Sequence, residues 1–160
     1  APATNTATLT TRVNADQERL YQTAPGSKAM VQQAKGVLVF PSVVGGSFII
    51  GAEHGRGVLR VGGKNVGEYT TTAASVGWQA GGQSKAVIYL FNTQEALNKF
   101  LASDGWSAGA DANVALGTIG ANGSVDTKTA SAPVSGYVLN NAGLEAGVSL
   151  SGSKITKVTK

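Results

Sequence analysis

The sequence predicts a mainly β, α+β fold, with a small antiparallel β-barrel core, about three short helices packed outside it and flexible Gly-rich loops. The chain contains 22 Gly residues, which weaken helix interiors, among many Val, Ile, Thr and Ala residues. Its apolar runs are short and bounded by Gly, as is typical of strands. The run 85–91 is apolar on both alternating faces, so both faces must be covered.

The chain of 160 residues fits one domain with a single core. We expect a flexible leader at 1–12, rich in Thr, Ala and Pro, and one domain over 13–160. Charged residues make up only 14%, which excludes a charge-driven disordered chain. No apolar run reaches the roughly 20 residues of a membrane-spanning helix. The first residue is not Met, which is consistent with a processed or truncated chain.

Capping residues locate the predicted helices. Asn14 is expected to cap a helix over 15–23, which Pro25-Gly26 ends. Ser27 is expected to cap a second short helix that Gly36 closes. Thr93 is expected to cap a third helix over 94–102, whose apolar residues recur every three or four positions and would cover the outer face of strand 85–91.

The strands are predicted from apolar, β-branched runs between Gly-rich turns. The first two are joined by a tight turn at Gly45-Gly46. The predicted strands are 37–44, 47–53, 57–61, 68–79, 85–91, 106–118, 134–140, 143–151 and 154–159.

The segment Gly105-Trp106-Ser107-Ala108-Gly109 matches the Gly-x-Ser-x-Gly pattern of hydrolases. That nucleophile needs a strand before it and a helix after it, whereas the predicted order here is helix and then strand. No His follows Ser107, and the similar pentapeptide 77–81 carries Gln79 at the Ser position. A hydrolase is therefore only a minor alternative, and we expect no catalytic residue and no enzyme activity.

Other catalytic and metal chemistry also lacks the residues it would need. The chain has no Cys, and His54 is its one His, which we expect to face solvent in a Gly-rich loop. Glu53, Asp104 and Asp111 show no ligand spacing, so neither a metal nor another cofactor is expected. Phosphate-binding glycine motifs of nucleotide enzymes are absent from the sequence.

Basic residues are the main candidates for binding. The net charge is +4 and the pI about 9.5, so an anionic partner is plausible. Lys and Arg on adaptable loops suit phosphate head groups, whereas the basic residues do not alternate with aromatic ones as they do in single-strand nucleic-acid binders. We therefore expect no nucleic acid partner. The candidate head-group residues are Lys28, Lys35, Arg56, Arg60, Lys64, Lys85 and Lys128.

The sequence also resembles the SYLF domain family of lipid-binding proteins, from about Lys28 onward and in the family's order. The resemblance begins with the apolar segment 34–53, in which two strand-like runs meet at Gly45-Gly46. It continues through Gly57-Val58-Leu59-Arg60, Ser75-Val76-Gly77-Trp78-Gln79-Ala80-Gly81, Gln83-Ser84-Lys85, Thr93-Gln94-Glu95-Ala96-Leu97 and Ser103-Asp104-Gly105-Trp106.

The resemblance implies binding of phosphoinositides and other anionic lipids through peripheral membrane contact without a membrane-spanning segment. It favours a bacterial, exported member in the periplasm or cell envelope, with a lipid anchor if a longer precursor carries one. The family's actin role accompanies additional modules that these residues do not contain, so it is not expected here. Region 14–35 is weakly amphipathic without Trp or Phe, and Gly45 stands where relatives carry Lys, so binding should be weak. The alternative is a structural or protein-interaction factor of the envelope.

Overall fold

A computed structural model describes residues 6–44, 55–72, 84–117, 132–140, 143–144 and 154–158. The described residues form three helices and a curled, mostly antiparallel sheet, which is a half-barrel. The helices are α1 (Thr6–Thr23), α2 (Ser27–Gln33) and α3 (Gln94–Ala102). The strands are β1 (Gly36–Val44), β2 (Gly55–Val61), β3 (Lys64–Thr72), β4 (Ser84–Phe91), β5 (Gly105–Ser107), β6 (Val114–Leu116), β7 (Val134–Asn140), β8 (Gly143–Leu144) and β9 (Lys154–Lys157). The predicted mainly β, α+β class is confirmed.

The sheet order is β5-β9-β3-β2-β1-β4-β7-β6, with β8 paired to β7 outside this path. Every pairing between these strands is antiparallel except that of β6 with β7. Strand β1 lies at the centre and pairs Val39 with Val58 of β2 and with Ile88 of β4. The centre of the sheet therefore consists of β1 and β4, which are two of the apolar runs predicted as strands, and β2 pairs with β1.

The sheet is apolar on both faces because alternate residues of its central strands are buried on opposite sides. The inner cluster joins strands from both ends of the sheet to α3 and consists of Leu38, Phe40, Leu59, Tyr69, Val87, Tyr89, Phe91, Ala96, Leu97, Phe100, Trp106, Ala108, Val134, Val138 and Ile155. The outer cluster joins the central strands to α1 and α2 and consists of Val13, Leu20, Ala24, Val31, Val37, Val39, Val58, Ala86, Ile88, Leu90, Tyr137 and Leu139.

Helix α3 has the predicted bounds and the predicted N-cap, since the Thr93 hydroxyl accepts a hydrogen bond from the Ala96 amide at 3.1 Å. Its position differs from the prediction that it covers the outside of strand 85–91. Phe100 lies 4.7 Å from Phe91 and 5.6 Å from Trp106 between ring centroids, within the inner cluster. The outer face of β4 is covered by α1 and α2 instead.

The two N-terminal helices have different ends from those predicted. Helix α1 begins at Thr6, so Asn14 lies in its interior and does not cap it, and residues 6–12 of the predicted leader are helical. Ser27 is the first residue of α2, and its hydroxyl donates to the Leu20 carbonyl at 3.1 Å, which fixes the corner between the helices. Helix α2 ends at Gln33, before Gly36.

Several strand predictions are refined by the structure. Predicted strand 106–118 is divided into β5 and β6 by a turn in which Asp111 accepts a hydrogen bond from the Ser107 amide at 2.6 Å. Strand β3 begins at Lys64, four positions before the predicted start at 68. Predicted strand 47–53, its turn at Gly45-Gly46 and most of strand 143–151 lie outside the described residues.

Gly57 is a position in β2 at which a side chain would collide with β1. A Cβ atom at this position would lie 2.5 Å from the Phe40 ring and 2.5 Å from the Val39 carbonyl oxygen. Only glycine leaves room for the Phe40 ring in the inner cluster, which explains why this residue interrupts an apolar strand.

Candidate functional site

One face of α1 carries a polar stripe that the sequence analysis did not single out. Thr10, Asn14, Gln17 and Tyr21 recur at intervals of four, three and four residues and therefore lie along one side of the helix. An adjacent side packs on the sheet through Val13 and Leu20 of the outer cluster. The polar stripe thus lies at the margin of the helix–sheet contact.

The turn between β2 and β3 faces this stripe. Gly62 and Gly63 have φ values of 62° and 83°, and Val61 pairs with Lys64 across them. A two-residue turn with positive φ at both positions is the type I′ hairpin turn, which favours glycine. The register shifts between Leu59 and Arg60, where a β-bulge at Val66 leaves that side chain half exposed. The turn and bulge bring Arg60 and Asn65 to the stripe.

Arg60 donates three hydrogen bonds, two of which connect the hairpin to α1. Its Nε donates to Asn65 Oδ1 at 2.8 Å, and its Nη1 donates to Gln17 Oε1 at 3.0 Å. Its Nη2 donates to Asn14 Oδ1 at 2.6 Å. Asn65 also donates from its Nδ2 to the Thr10 hydroxyl at 3.0 Å. The guanidinium is therefore held in a fixed orientation by amide side chains from two elements.

Gln17, Tyr21 and Arg60 line a groove of about 350 Å³ between the two N-terminal helices and the sheet. Its polar lining comes from the α1 stripe, Gln32 and Arg60, and its apolar lining comes from the end of α2 and the start of β1. The lining residues are Gln17, Tyr21, Val31, Gln32, Ala34, Val37, Arg60, Gly62 and Gly63.

The electrostatic character of the groove is positive. Among the described residues Arg60 has only neutral amide oxygens as acceptors, and no carboxylate pairs with it. Desolvation by burial lowers the pKa of Arg60, and the nearby Tyr21 raises it in part. Arginine stays protonated in proteins at neutral pH, so this half-buried cation has no local countercharge in the described part of the chain. Such a cation favours an anionic ligand.

Three predicted lysines lie next to the groove. The Lys28 ammonium lies 5.9 Å from the ring centroid of Tyr21, which lines the groove. Lys35 and Lys64 each follow a lining residue, Ala34 and Gly63 respectively, and both side chains are exposed. The structure therefore brings four of the seven predicted residues to one region, with Arg60 inside the groove and the lysines around it.

The other three predicted residues are not part of the described groove. Arg56 and Lys85 lie in β2 and β4, where their backbones pair with Thr70 and Val43. Lys128 lies outside the described residues, as does His54. The prediction for these side chains stays a prediction.

Sequence reasoning missed Asn14 and Gln17, which accept hydrogen bonds from Arg60, and Tyr21, which lines the groove together with Gln17. Their spacing, continued from Thr10, was the available signal, because polar residues at helical intervals beside an apolar face often make specific contacts. This spacing can be recognised only when α1 is known to start at Thr6. The predicted helix began after Asn14, so it excluded Thr10 and treated Asn14 as a cap.

A second cavity of about 240 Å³ lies at the start of α3. Its lining includes two acidic residues, Glu95 and Asp111, and one basic residue, Lys99. The Asp111 carboxylate already accepts the Ser107 amide, and the Trp106 ring is buried. This mixture of charges gives no preference for an anion, so the groove at Arg60 is the stronger candidate.

The Gly-x-Ser-x-Gly segment forms a strand and a turn in the structure. Ser107 ends β5, which follows α3, and the Ser107 amide donates to the Asp111 carboxylate. Within the described residues, no group of three or more His, Cys, Asp or Glu residues is arranged to hold a metal ion.

Comparison with protein families gives a match over residues 72–160, just over half of the chain. The matching family is Ysc84, described as Las17-binding protein actin regulator. The chain therefore belongs to the Ysc84 family, the SYLF domain family of lipid-binding and actin-regulating domains, and the predicted resemblance is confirmed. The match starts at the end of β3, so the groove residues precede it.

A search of curated proteins finds no match to the chain. None of the helices in the described ranges is both long enough and apolar enough to cross a membrane.

Proposed function

We propose that this protein is a non-enzymatic module that binds anionic phospholipid head groups, phosphoinositides included, weakly at a membrane surface. The observation that carries the proposal is the Arg60 guanidinium, which is half buried in a groove and bonded only to neutral amide oxygens in the described part of the chain. A lipid phosphate would supply the missing negative charge through a charge-assisted hydrogen bond. Membership of a lipid-binding family supports the same function.

The expected affinity is modest and depends on salt. Each basic residue close to an anionic membrane contributes about 1 kcal/mol, and this contribution falls with ionic strength. Arg60, Lys28, Lys35 and Lys64 lie at or beside the groove, so four such contributions are available. Peripheral contact of this kind needs no membrane-spanning helix.

Co-sedimentation with liposomes tests the proposal. The protein should bind vesicles of phosphatidylcholine mixed with an anionic lipid at low salt, release them at high salt, and ignore pure phosphatidylcholine. Arg60→Gln should weaken binding about fivefold, since it removes one cation at the groove. Arg19→Gln is the matched control, because it removes the same charge from α1, at an Asp16 ion pair outside the groove. Equal binding to neutral vesicles, or none at low salt, would contradict the proposal.

A second candidate is a structural or protein-interaction factor, since the family description names a protein, Las17, as the binding partner. For this chain the partner would be a protein of the bacterial cell envelope, where we propose that the protein is located. Pull-down from an envelope extract tests this candidate, with Lys64→Glu as the comparison variant. Retention of one protein that survives high salt, together with no liposome binding, would favour the second candidate over the first.

A further inference from the structure

The hydrogen-bond donors of Arg60 are only partly used. A guanidinium has five N–H groups, and the bonds to Asn65, Gln17 and Asn14 use three of them. One N–H therefore remains on each of Nη1 and Nη2, without an acceptor among the described residues. Two N–H groups of one planar guanidinium can contact two oxygens of the same phosphate.

Gln17 determines the orientation of a third donor. Arg60 only donates, so the Gln17 oxygen must face it, and the Gln17 Nε2 then donates to the Tyr21 hydroxyl at 2.9 Å. Because the Tyr21 oxygen accepts this bond, its own proton is left to donate elsewhere, and no acceptor for it lies in the described residues. Tyr21 and Gln17 both line the groove, so its polar end offers donors.

One part of the groove is free of side chains. Gly62 and Gly63 line it, and a Cβ atom built on either residue would meet nothing within 4 Å. A tetrahedral anion therefore has space at this part of the groove, which Arg60 also lines.

We propose that this groove selects phosphomonoesters over phosphodiesters, with Arg60 contacting two terminal oxygens and the Tyr21 hydroxyl contacting the third. A monoester has three terminal oxygens and a charge that approaches −2 near neutral pH, and so can use all three donors. A diester has two terminal oxygens and one negative charge, so two of the three donors would have to share one oxygen that carries less charge. This selectivity rests on the proposed anionic head-group binding and adds the chemical class of the ligand.

Vesicle binding separates the two classes. Phosphatidic acid is a phosphomonoester and phosphatidylglycerol is a phosphodiester, and vesicles of each can be adjusted to the same surface potential. We expect tighter binding to phosphatidic acid, by about tenfold, as one additional hydrogen bond to a charged group provides. Binding to neither lipid would overturn the proposed function itself, whereas equal binding to both would overturn only the selectivity.

Tyr21→Phe tests the third donor, since it removes the hydroxyl and keeps the ring beside Lys28. The variant should lose the preference for phosphatidic acid, because both lipids then meet only the two N–H donors of Arg60. Tyr69→Phe is the control, because it removes a hydroxyl from the inner cluster on the opposite face of the sheet. Thermal unfolding should show both variants folded. A Tyr21→Phe protein that retains the full preference would overturn the proposal.

Soluble esters identify the source of the phosphate. Glycerol 3-phosphate should shift the backbone amide resonances of Tyr21, Gly62 and Gly63, and glycerophosphoglycerol at the same concentration should shift them less. If glycerol 3-phosphate displaces the protein from phosphatidic acid vesicles, a free phosphomonoester is a sufficient ligand. If it shifts these resonances but does not displace the protein from the vesicles, the lipid is the preferred ligand. Either result supports the selectivity for phosphomonoesters. Equal shifts with the two esters would contradict it.

Discussion

At the scale of single residues, the shape of the Arg60 side chain matters as much as its charge. Its three hydrogen bonds leave in different directions toward β3 and α1, and a lysine ammonium cannot reproduce that planar arrangement. We expect Arg60→Lys to lower the free energy of unfolding by about 1 kcal/mol, because two of these bonds are exposed and each contributes little.

The same substitution should weaken binding to anionic vesicles although the net charge is unchanged. Urea denaturation and co-sedimentation measure the two effects, and Arg19→Lys is the matched control for an arginine outside the groove. Full binding by Arg60→Lys would show that charge alone accounts for the site.

Tyr69 should make the free energy of unfolding depend on pH in the alkaline range. Burial raises the pKa of its phenol. In the unfolded chain the phenol ionises near its ordinary pKa of about 10, while in the folded chain it stays neutral to higher pH. The folded state then binds more protons than the unfolded state, so this group leaves stability unchanged below pH ~10 and lowers the free energy of unfolding as pH rises further.

Urea denaturation over a pH series that extends above pH ~10 measures this loss. Tyr69→Phe should reduce the slope, since phenylalanine cannot ionise. The same slope in both proteins would mean that Tyr69 does not contribute to the pH dependence.

At the scale of elements, the β2–β3 turn determines where Arg60 lies. Gly62 has φ +62°, which asparagine tolerates and β-branched residues do not. We expect Gly62→Asn to change stability by less than about 0.5 kcal/mol and Gly62→Val to cost about 2 kcal/mol. Thermal unfolding compares the two variants directly, because both place a side chain in the same open space. Equal destabilisation would indicate that volume and not backbone conformation limits this position.

The sequence predicted elements well where local chemistry determines them. Helix α3 has a cap, a regular apolar spacing and the predicted ends, and strands β1, β2, β4 and β7 lie within two residues of their predicted bounds. The predicted start of α1 was wrong because the Thr-rich first turns of this helix have a weak intrinsic helix preference. The described structure instead places this helix on the outer cluster through Val13 and Leu20, a tertiary contact that propensity does not contain.

At the scale of the whole molecule, the sequence indicated that β4 is covered on both faces but not which helix covers which face. Both helical regions are apolar on one side, so pattern alone allows either arrangement. The groove shows the same limit. Arg60 and its neighbouring lysines were predicted as binding residues, whereas Asn14 and Gln17 contact Arg60 across more than forty positions of sequence. Only the packing of α1 on the sheet brings these residues together.

The division of the core into two clusters predicts two kinds of local unfolding. Helices α1 and α2 pack on the outer face, while α3 and the aromatic rings hold the inner face, so the outer helices can detach while the sheet stays folded. Leu20 and Phe100 are both buried and belong to different clusters. Truncation of either residue to alanine should cost roughly 3 kcal/mol by forming a cavity.

We expect the two substitutions to differ in native-state hydrogen exchange and in binding. Leu20→Ala should reduce protection of α1 and α2 more than that of β1 and β4, and it should weaken binding to anionic vesicles because α1 orients Arg60. Phe100→Ala should reduce protection of the sheet and helices together, and should leave the vesicle affinity of the folded protein unchanged, since Phe100 does not line the groove. If Leu20→Ala reduced protection uniformly and left binding intact, α1 would be part of the same cooperative unit as the sheet, and its contacts with Arg60 would not be needed for binding.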